Sequence, residues 1–536
     1  MKLANKPLQI ELLPMLETAL PPAMKLRLLS IALRPSPPKA IILLRERGLT
    51  MNVPRSKKFL LLAFAGALLP IGLKADAAPD ATPAAVNTTD PFAYADFGWL
   101  NGNLHGSDPT PADSKYFTPE IIVDANFAHS FNQPNDHTIV GSTSMGRSDE
   151  FQVQQLGVGG DMHVDNVHGR IFTDWGMDSQ MVPRNDTSPG RGQWNLGSAY
   201  GTNLAEAYGG YHWDVLHGIN LDAGIFPSYI GLYSYYNPDN WTYQASYVSS
   251  NTPWFFNGVR LQVFPTNQLK TEFWLINGWQ TYGVFNDKLA FGYQIKWANQ
   301  AGWFSSVYNG YIGFDTPDSP NLMKLHSDNS WLLKDYDDPK SSFITKNAWS
   351  LTADIGGEQG AMGNGANSST IPITMGPGPN EEAFFGAMLY NRTEFGKIGF
   401  TFGGGFVNNP GQYLLLVPPV NGATAANYGA QVTAYDEQPG QDINTIPNLL
   451  PGSSFIATDF EICMDYRPSP YLMYKLEFEH NESNIPYFAG EGGVTSTDGW
   501  QSQVGTGSAG GIGSGFTPDL VKTQNRVVLV MNIEIN

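Results

Sequence analysis

The stretch from Gly258 to Ile276, GVRLQVFPTNQLKTEFWLI, contains the pattern that decides the fold. Apolar residues occupy every second position in 259–263 and again in 269–275, and polar residues stand between most of them. A period of two places successive side chains on opposite faces of a β-strand. The stretch therefore predicts two strands, each with one apolar and one polar face.

The connection between these strands, residues 264–268, is short enough for like faces to pair in a hairpin. The predicted pairing sets Arg260 opposite Glu272 and Gln262 opposite Lys270, which are favourable cross-strand neighbours. We expect these four side chains to face an interior and the apolar side chains to face outward.

A second hairpin between Asp459 and Glu479 repeats the pattern, with apolar residues on one face and mostly acidic residues on the other. The predicted pairing sets Glu461 opposite Glu477 and Asp459 opposite Glu479. Like charges in direct opposition destabilise a strand pair unless water, cations or partner side chains screen them. Two interpretations stay open: a water-filled lumen that prefers cations, or a plugged interior in which Lys475 and lumenal loops neutralise the acids.

Strands of about ten residues recur along the chain, and short connections alternate with long ones. Residues 314–342 are among the predicted long loops. Fifteen strands can be counted, but both ends of such a barrel should lie on the short-turn side, so residues 314–382 must contain either no spanning strand or two. Residues 343–354 form a credible strand, whereas a partner near 369–375 is weak because it contains Pro372. We predict an all-β, closed antiparallel transmembrane barrel of about 16 strands (14 without that partner), with short periplasmic turns and long extracellular loops.

Composition agrees with this fold class. The 536 residues are 12% aromatic and only 15% charged, with 57 glycines and a mean hydropathy of -0.23. Disordered chains lack the aromatic residues, and helical membrane proteins show several apolar runs of about 20 residues. The single cysteine, Cys463, excludes an intramolecular disulfide, and the net charge of -18 argues against nucleic acid.

One apolar run, Phe59 to Leu73, follows basic residues and precedes Ala75-Asp76-Ala77, which is the order of a secretory signal. We interpret residues 1–50 as an over-extended start and 51–77 as a signal peptide. Residues 78–116 are then an N-terminal periplasmic lead-in, and 117–536 form the barrel. Residues 1–77 carry 12 basic and 4 acidic residues, so the remainder has 19 basic and 45 acidic residues, a net charge of about -26.

Five segments are distinctive enough to compare with known families: DFGWLNGN (96–103), EAYGGYHWD (206–214), HGINLDAGIFPSYIGLYSYYNPDNWTYQASYVSSNTPWFFNGVR (217–260), TEFWLINGWQTYG (271–283) and PYFAGEGGVT (486–495). They resemble the β-barrel porin-2, or OmpL-like, family of bacterial outer-membrane proteins. The resemblance extends over essentially all of the mature chain. It implies an outer-membrane barrel with a pore function, and it implies no catalytic residue.

The leading hypothesis is a porin-like channel in the bacterial outer membrane for passive diffusion of small hydrophilic solutes, with a preference for cations. The alternatives are an outer-membrane enzyme, such as a lipid hydrolase or acyltransferase, on the same scaffold, or a secreted carbohydrate-binding β protein. We expect no catalytic residue, metal or cofactor. The expected partners are outer-membrane lipid, the assembly machinery and small solutes, with a homo-oligomer left open. The candidate pore-lining residues are Arg260, Gln262, Lys270, Glu272, Asp459, Glu461, Asp465, Lys475, Glu477 and Glu479.

Other motifs have less specific interpretations. The aromatic segment 240–256 is either a constriction loop that stacks flat solutes or, as we favour, an interfacial aromatic girdle joined to a polar loop. The predicted acidic loop 328–338 lacks the order of ligands in a calcium-binding loop. His163 and His168 flank a turn and are more readily explained by solvation than by metal chelation.

The first prediction concerns processing. We expect the mature protein to begin near Ala78, because basic, apolar and small residues follow one another from Met51 in the order of a signal peptide. N-terminal sequencing of the protein from the cell envelope measures this directly. A mature N-terminus before Met51 would contradict the assignment.

Overall fold

The computed structural model describes residues 112–142, 145–182, 203–234, 236–284, 286–315, 320–361, 383–409, 455–484, 486–494 and 519–535. Almost all of its regular structure is β-strand. The sixteen long strands are β1 (Phe117–Ser130), β2 (Phe151–Val164), β3 (Val167–Trp175), β4 (Leu204–Trp213), β5 (Ile219–Pro227), β6 (Phe255–Thr266), β7 (Leu269–Ile276), β8 (Ala290–Ala298), β9 (Phe304–Gly313), β10 (Asn321–Asp337), β11 (Lys346–Ala361), β12 (Ala383–Phe395), β13 (Ile398–Asn409), β14 (Phe455–Ser469), β15 (Leu472–Ser483) and β18 (Thr523–Ile535).

These strands form one closed antiparallel barrel in which each strand pairs with its neighbours along the chain. β1 closes the barrel by pairing with β18, from Ile121 opposite Ile535 to Ser130 opposite Arg526. Closure leaves no sheet edge, so the backbone groups of every barrel strand have partners on both sides. The prediction of a closed antiparallel barrel with 16 strands is confirmed.

The sixteenth strand lies where the sequence predicted a loop. β10 occupies most of the predicted connection 314–342 and pairs with β9 and β11. The described part of residues 314–382 contains two spanning strands, β10 and β11. The predicted weak strand near 369–375 lies outside the described residues. The segment 328–338 is therefore mostly strand rather than an acidic loop, and Asp328 faces the interior.

Both predicted hairpin registers are wrong by two residues. Arg260 pairs with Trp274 and Gln262 with Glu272, while Glu461 pairs with Glu479. In the first hairpin, β6 continues to Thr266, and the connection shortens to residues 267–268 with a bulge after Val263. Because the shift is even, every side chain keeps its predicted face.

The two faces of the barrel differ in polarity as predicted. Phe273 and Leu476 are exposed on the outside, and Leu529 is 54% exposed. Gln262 and Glu461, which alternate with apolar residues along their strands, are buried inside. No helix among the described residues is long and apolar enough to cross a membrane. The predicted over-extended start, the signal peptide and most of the lead-in lie outside the described residues.

At the long-loop end, two connections pack together. The segment after β15 carries β16 (Phe488–Ala489), which pairs with β17 (Leu520–Val521). It is fastened to the loop after β1, since Asn132 donates to the carbonyl of Ala489 at 2.9 Å and the Val494 amide donates to Asp136 at 2.9 Å. These two connections therefore cover part of the barrel opening at the long-loop end.

The second prediction tests the assignment of faces. Leu261→Arg places a charge on the outward face of β6 and should lower the free energy of unfolding in lipid by roughly 2–4 kcal/mol. Gln262→Arg is the matched control, because the new guanidinium faces the interior beside Glu272, the present partner of the Gln262 amide at 2.7 Å. Unfolding in urea from lipid vesicles compares the two variants. Equal losses would contradict the register, because a one-residue slip exchanges the faces.

Candidate functional site

A long connection, residues 228–254 between β5 and β6, folds into the barrel; we call it the lumenal loop. It contains a 3₁₀ turn (Asn237–Asp239) and one helical turn, α1 (Tyr247–Ser250). Ser246 caps α1, because its side chain accepts a hydrogen bond from the Val248 amide at 3.3 Å. Hydrogen bonds within these turns thus satisfy some of the backbone donors and acceptors of a segment that has no strand partner.

Aromatic packing fixes the beginning of the loop to the wall beside it. The ring of Tyr229 stacks on Phe256 of β6 and Trp274 of β7, with centroids 5.0 and 4.9 Å away. Its hydroxyl donates to the carbonyl of Gly310 on β9 at 2.9 Å. A side chain at Gly292 would occupy the position of this hydroxyl. The loop therefore leaves the wall in a defined direction.

The far end of the loop is held by three successive inward residues of β15. Lys475 donates to the carbonyls of Asn240 at 2.7 Å and Thr242 at 3.0 Å. Glu477 accepts hydrogen bonds from the backbone amides of Tyr243 and Gln244. Glu479 accepts a bond from the Gln244 side chain at 2.6 Å. We call Lys475, Glu477 and Glu479 the β15 clasp.

The clasp lies across the barrel from the origin of the loop. In the circular strand order, β14 stands opposite β5 and β6, and β15 is beside it. Ser246 also approaches Asp459 on β14, at 3.4 Å, and the Tyr243 hydroxyl donates to Asp124 on β1 at 2.9 Å. The loop therefore spans the lumen and narrows it.

Small inward residues make room for α1. A side chain at Gly386 on β12 would collide with Val248, and one at Gly405 on β13 would collide with Ser246, the residue that caps α1. Gly405 ends the run Gly403-Gly404-Gly405, and a side chain at Gly403 would collide with Tyr390. These glycines are thus explained by close approach of the loop and of a neighbouring ring.

The aromatic residues of the loop do not form the interfacial girdle that the sequence favoured. Tyr233, Tyr236, Trp241 and Tyr243 are all buried inside. The Tyr236 hydroxyl, for example, donates to Glu206 on β4 at 2.6 Å. The girdle interpretation is wrong for this segment because its polar tips are bonded to the wall, whereas lipid would offer them no partner.

The ten candidate pore-lining residues all have inward positions, but in separate groups. Asp459, Glu461, Glu477 and Glu479 form an acidic wall on β14 and β15, with Lys475 below them and Asp465 paired to Arg392 at 2.6 Å. Glu461 accepts from Tyr390 at 2.9 Å. Arg260, Gln262, Lys270 and Glu272 lie on β6 and β7, and Lys270 pairs with Glu272 at 2.9 Å.

Sequence reasoning missed the strongest ion-pair group. Arg170 on β3 is 1% exposed, and its guanidinium lies 2.6 Å from Glu120, 3.2 Å from Asp161 and 2.9 Å from Glu206. Each of these residues stands on the polar face of its strand, so the same period of two could have found them singly. Their convergence depends on the register of four strands. His168 also points inward, 2.5 Å from Asp222. It is buried, so the interpretation of a solvated turn is wrong for this histidine.

No three His, Cys, Asp or Glu side chains in the described part of the chain converge closely enough to ligate one metal ion directly. The barrel interior is narrowed by the lumenal loop, and its wall carries many charged side chains.

The family model described as "Putative beta-barrel porin-2, OmpL-like" matches residues 117–510. The chain belongs to this family. The match begins at the first residue of β1 and includes the lumenal loop and the β15 clasp. No protein in the curated set of sequences matches the chain.

Solved barrels share low sequence identity with the chain. The outer membrane channel DcaP of Acinetobacter baumannii is 11% identical, with 78% of this chain and 97% of that chain covered and a TM-score of 0.43. OprB of Pseudomonas putida is 9% identical, with 78% of this chain and 94% of that chain covered and a TM-score of 0.42. OmpT, an outer membrane protein of Vibrio cholerae, is 7% identical, with 80% of this chain and 100% of that chain covered and a TM-score of 0.41.

The third prediction concerns the clasp. Lys475→Met removes the donor to the loop carbonyls and should loosen the loop end, so the amides of Tyr243 and Gln244 should exchange hydrogen about tenfold faster or more, because an unsatisfied buried group costs about 1–3 kcal/mol. Hydrogen exchange followed by mass spectrometry measures this. Lys270→Met is the control, since it removes another buried lysine, on β7. Unchanged exchange in Lys475→Met would show that the lysine does not hold the loop.

Proposed function

We propose that this protein is an outer-membrane channel through which small hydrophilic solutes diffuse passively, with a preference for cations. Family membership supports a porin-type barrel. The proposal adds two properties: the pore prefers cations to anions, and the solutes that pass through it are small. Insertion in the bacterial outer membrane with help from the assembly machinery follows from the same proposal, and a homo-oligomer stays a prediction.

The observation that carries the preference for cations is the imbalance of buried charge. Among the described residues, seventeen carboxylates are buried and only seven lysines or arginines. Arg260, partly exposed, is an eighth base that faces the interior. Burial in this barrel means the inward face, so most of these charges act on the lumen. A passage with such an excess of negative charge enriches cations and repels anions.

Most of the bases are already occupied by acids. Arg170 is surrounded by three carboxylates, Arg392 pairs with Asp465, and Arg526 pairs with Glu479. Lys475 is bonded to loop carbonyls. The positive groups are therefore poorly placed to bind an anion, while carboxylates outnumber them by more than two to one.

The lumenal loop supports the restriction to small solutes. It crosses from β5 to the opposite wall and is bonded there through the β15 clasp. The remaining passage is lined by polar side chains, which replace part of the hydration shell of a small polar solute.

Transport rather than catalysis is the function that we infer. The family model supports this inference. The carboxylates that could act as acid or base, such as Glu206 and Glu477, are bonded to the wall or to the loop backbone. No observation in the described lumen favours the hydrolase or acyltransferase alternative.

The fourth prediction tests charge selectivity. The reversal potential across a tenfold KCl gradient in planar bilayers should have the sign of cation selectivity. Asp459→Asn keeps an acceptor for the Ser246 hydroxyl but removes one carboxylate from the lumenal face of β14. At about 10 Å in water, one charge contributes about 0.4 kcal/mol to a cation, so the permeability ratio should fall about twofold.

Glu482→Gln is the matched control for this measurement. Glu482 is on the same strand pair but exposed on the outward side, so its loss removes the same charge outside the lumen. It should leave the ratio unchanged. An anion-selective wild type, or equal effects of the two substitutions, would contradict the proposed selectivity. Absence of any conductance would contradict the channel itself.

A further inference from the structure

Two successive outward positions of β10 carry polar side chains in the middle of the strand. Ser327 and Asn329 alternate with inward residues such as Asp328, and both are half-buried on the outer surface. The pairing of β10 with β9 runs from Lys324 to Leu333, so both residues lie away from the ends of this pairing. Outward positions away from the ends of other strands carry apolar residues such as Leu261, Phe273, Leu476 and Leu529. The polar pair departs from that pattern.

The neighbouring strands surround this pair with a hydroxyl group and with small residues. Asn329 is directly opposite Tyr308 on β9 and Ala353 on β11. Ala353 is in turn opposite Ala387 on β12, so two small side chains lie side by side. The outward positions of four strands thus form one continuous surface. We call it the β10 patch, and it consists of Tyr308, Ser327, Asn329, Trp331, Ala353 and Ala387.

The β10 patch has hydrogen-bonding capacity that lipid chains cannot use. The Asn329 amide donates to the Ser327 hydroxyl at 3.1 Å, and the Trp331 indole donates to the Tyr308 hydroxyl at 3.2 Å. A primary amide has two N–H donors and an oxygen acceptor, so the bond to Ser327 uses only part of the capacity of Asn329. Acyl chains offer no partner for the rest, and headgroups lie at the surfaces of the bilayer. A polar group at mid-strand therefore favours contact with protein.

The absence of charge on this surface favours contact with another copy of the chain. The outward positions between Phe304 and Ile312 on β9, between Met323 and Leu333 on β10, and between Trp349 and Ile355 on β11 include no Asp, Glu, Lys or Arg. The whole chain carries a net charge of -18, so two copies repel one another where acidic residues meet. A neutral face avoids that repulsion.

We propose that the β10 patch is the surface through which a second copy of this chain packs against the barrel, with Asn329 beside the symmetry axis. Identical amides can both donate and accept, so copies of Asn329 that meet at an axis can satisfy one another. Ala353 and Ala387 allow the two walls to approach closely. An axis perpendicular to the membrane brings the same positions together in a pair or in a closed ring. The inference goes beyond the proposed function, because it rests on insertion in a membrane and not on conduction.

Disulfide crosslinking between copies tests this surface. The native cysteine, Cys463, is buried inside the barrel and is replaced in the Cys463→Ser background. In that background, Asn329→Cys should form disulfide-linked dimers when the purified full chain is oxidised in phosphatidylcholine vesicles. Val158→Cys is the matched control, since Val158 is exposed on the outer face of β2, which is opposite β10 in the circular strand order. It should stay monomeric.

A second variant measures the contribution of the amide without a new cysteine. Asn329→Leu should lower the association constant in detergent, measured by sedimentation equilibrium, about three- to twentyfold, the range of a hydrogen bond between membrane segments. Thr173→Val is the matched control, because it removes an outward hydroxyl from β3, on the far side of the barrel. It should keep the wild-type constant. Heat-modifiable migration in gels confirms that each variant has folded as a barrel.

A wild type that is monomeric in vesicles and in detergent would overturn the proposal, as would equal crosslinking of Asn329→Cys and Val158→Cys. Equal association of the wild type and Asn329→Leu would overturn it as well. Oxidation of whole cell envelopes tests for another occupant: a mixed disulfide with a different protein, without dimers, would refute contact between copies. Neither measurement needs a current. Copies that associate but do not conduct therefore refute the channel and leave this surface standing, whereas a conducting monomer refutes only the surface.

Discussion

Closure of the barrel between β1 and β18 is the constraint on which the rest of the structure depends. A strand in an apolar surrounding cannot leave backbone donors and acceptors without partners, and only a closed sheet pairs them all. The pairing of ten residues on each side, from Ile121 to Ser130, completes the circle. It also fixes an even number of antiparallel strands and places all long connections at one end, where they can fold over or into the lumen.

The period of two then separates the chemistry of the two faces. Apolar residues such as Phe273 and Leu529 face outward, while charged residues accumulate inside, where they must find partners or water. The wall meets this demand with ion pairs, of which Arg170 and its three carboxylates are the clearest. Where a base is lacking, the wall uses the backbone of the lumenal loop, as when Glu477 accepts two amides. In the described part of the wall, buried carboxylates outnumber buried lysines and arginines.

The lumenal loop and the acidic wall therefore depend on one another. The loop brings amides and hydroxyls to carboxylates on β1, β4 and β15, and these carboxylates hold a segment that has no strand partner. The interpretation of a plugged interior, in which Lys475 and a loop neutralise the acids, describes the β15 clasp well.

The sequence by itself determined the fold class, the inward or outward position of the residues in the two quoted hairpins, and the need for an even strand count. The faces follow from the period of two along each strand, and the even strand count follows from closure of the barrel. Neither rule requires coordinates. The inward positions of Glu461 and Lys270 were predictable for this reason. An even slip preserves faces, so both hairpins could be assigned correctly in face and wrongly in register.

Only the tertiary structure decided which side chains meet. The bulge after Val263 lengthens β6 and changes the partner of Arg260, and the residue pattern does not predict this bulge. β10 lies in a predicted loop. Its acidic residues are typical of a solvent-exposed connection, whereas the polar interior of the barrel surrounds Asp328. The path of the lumenal loop was likewise hidden, because its contacts join residues more than two hundred positions apart, such as Gln244 and Glu479. Such contacts depend on strand order around a closed circle, which a linear pattern does not contain.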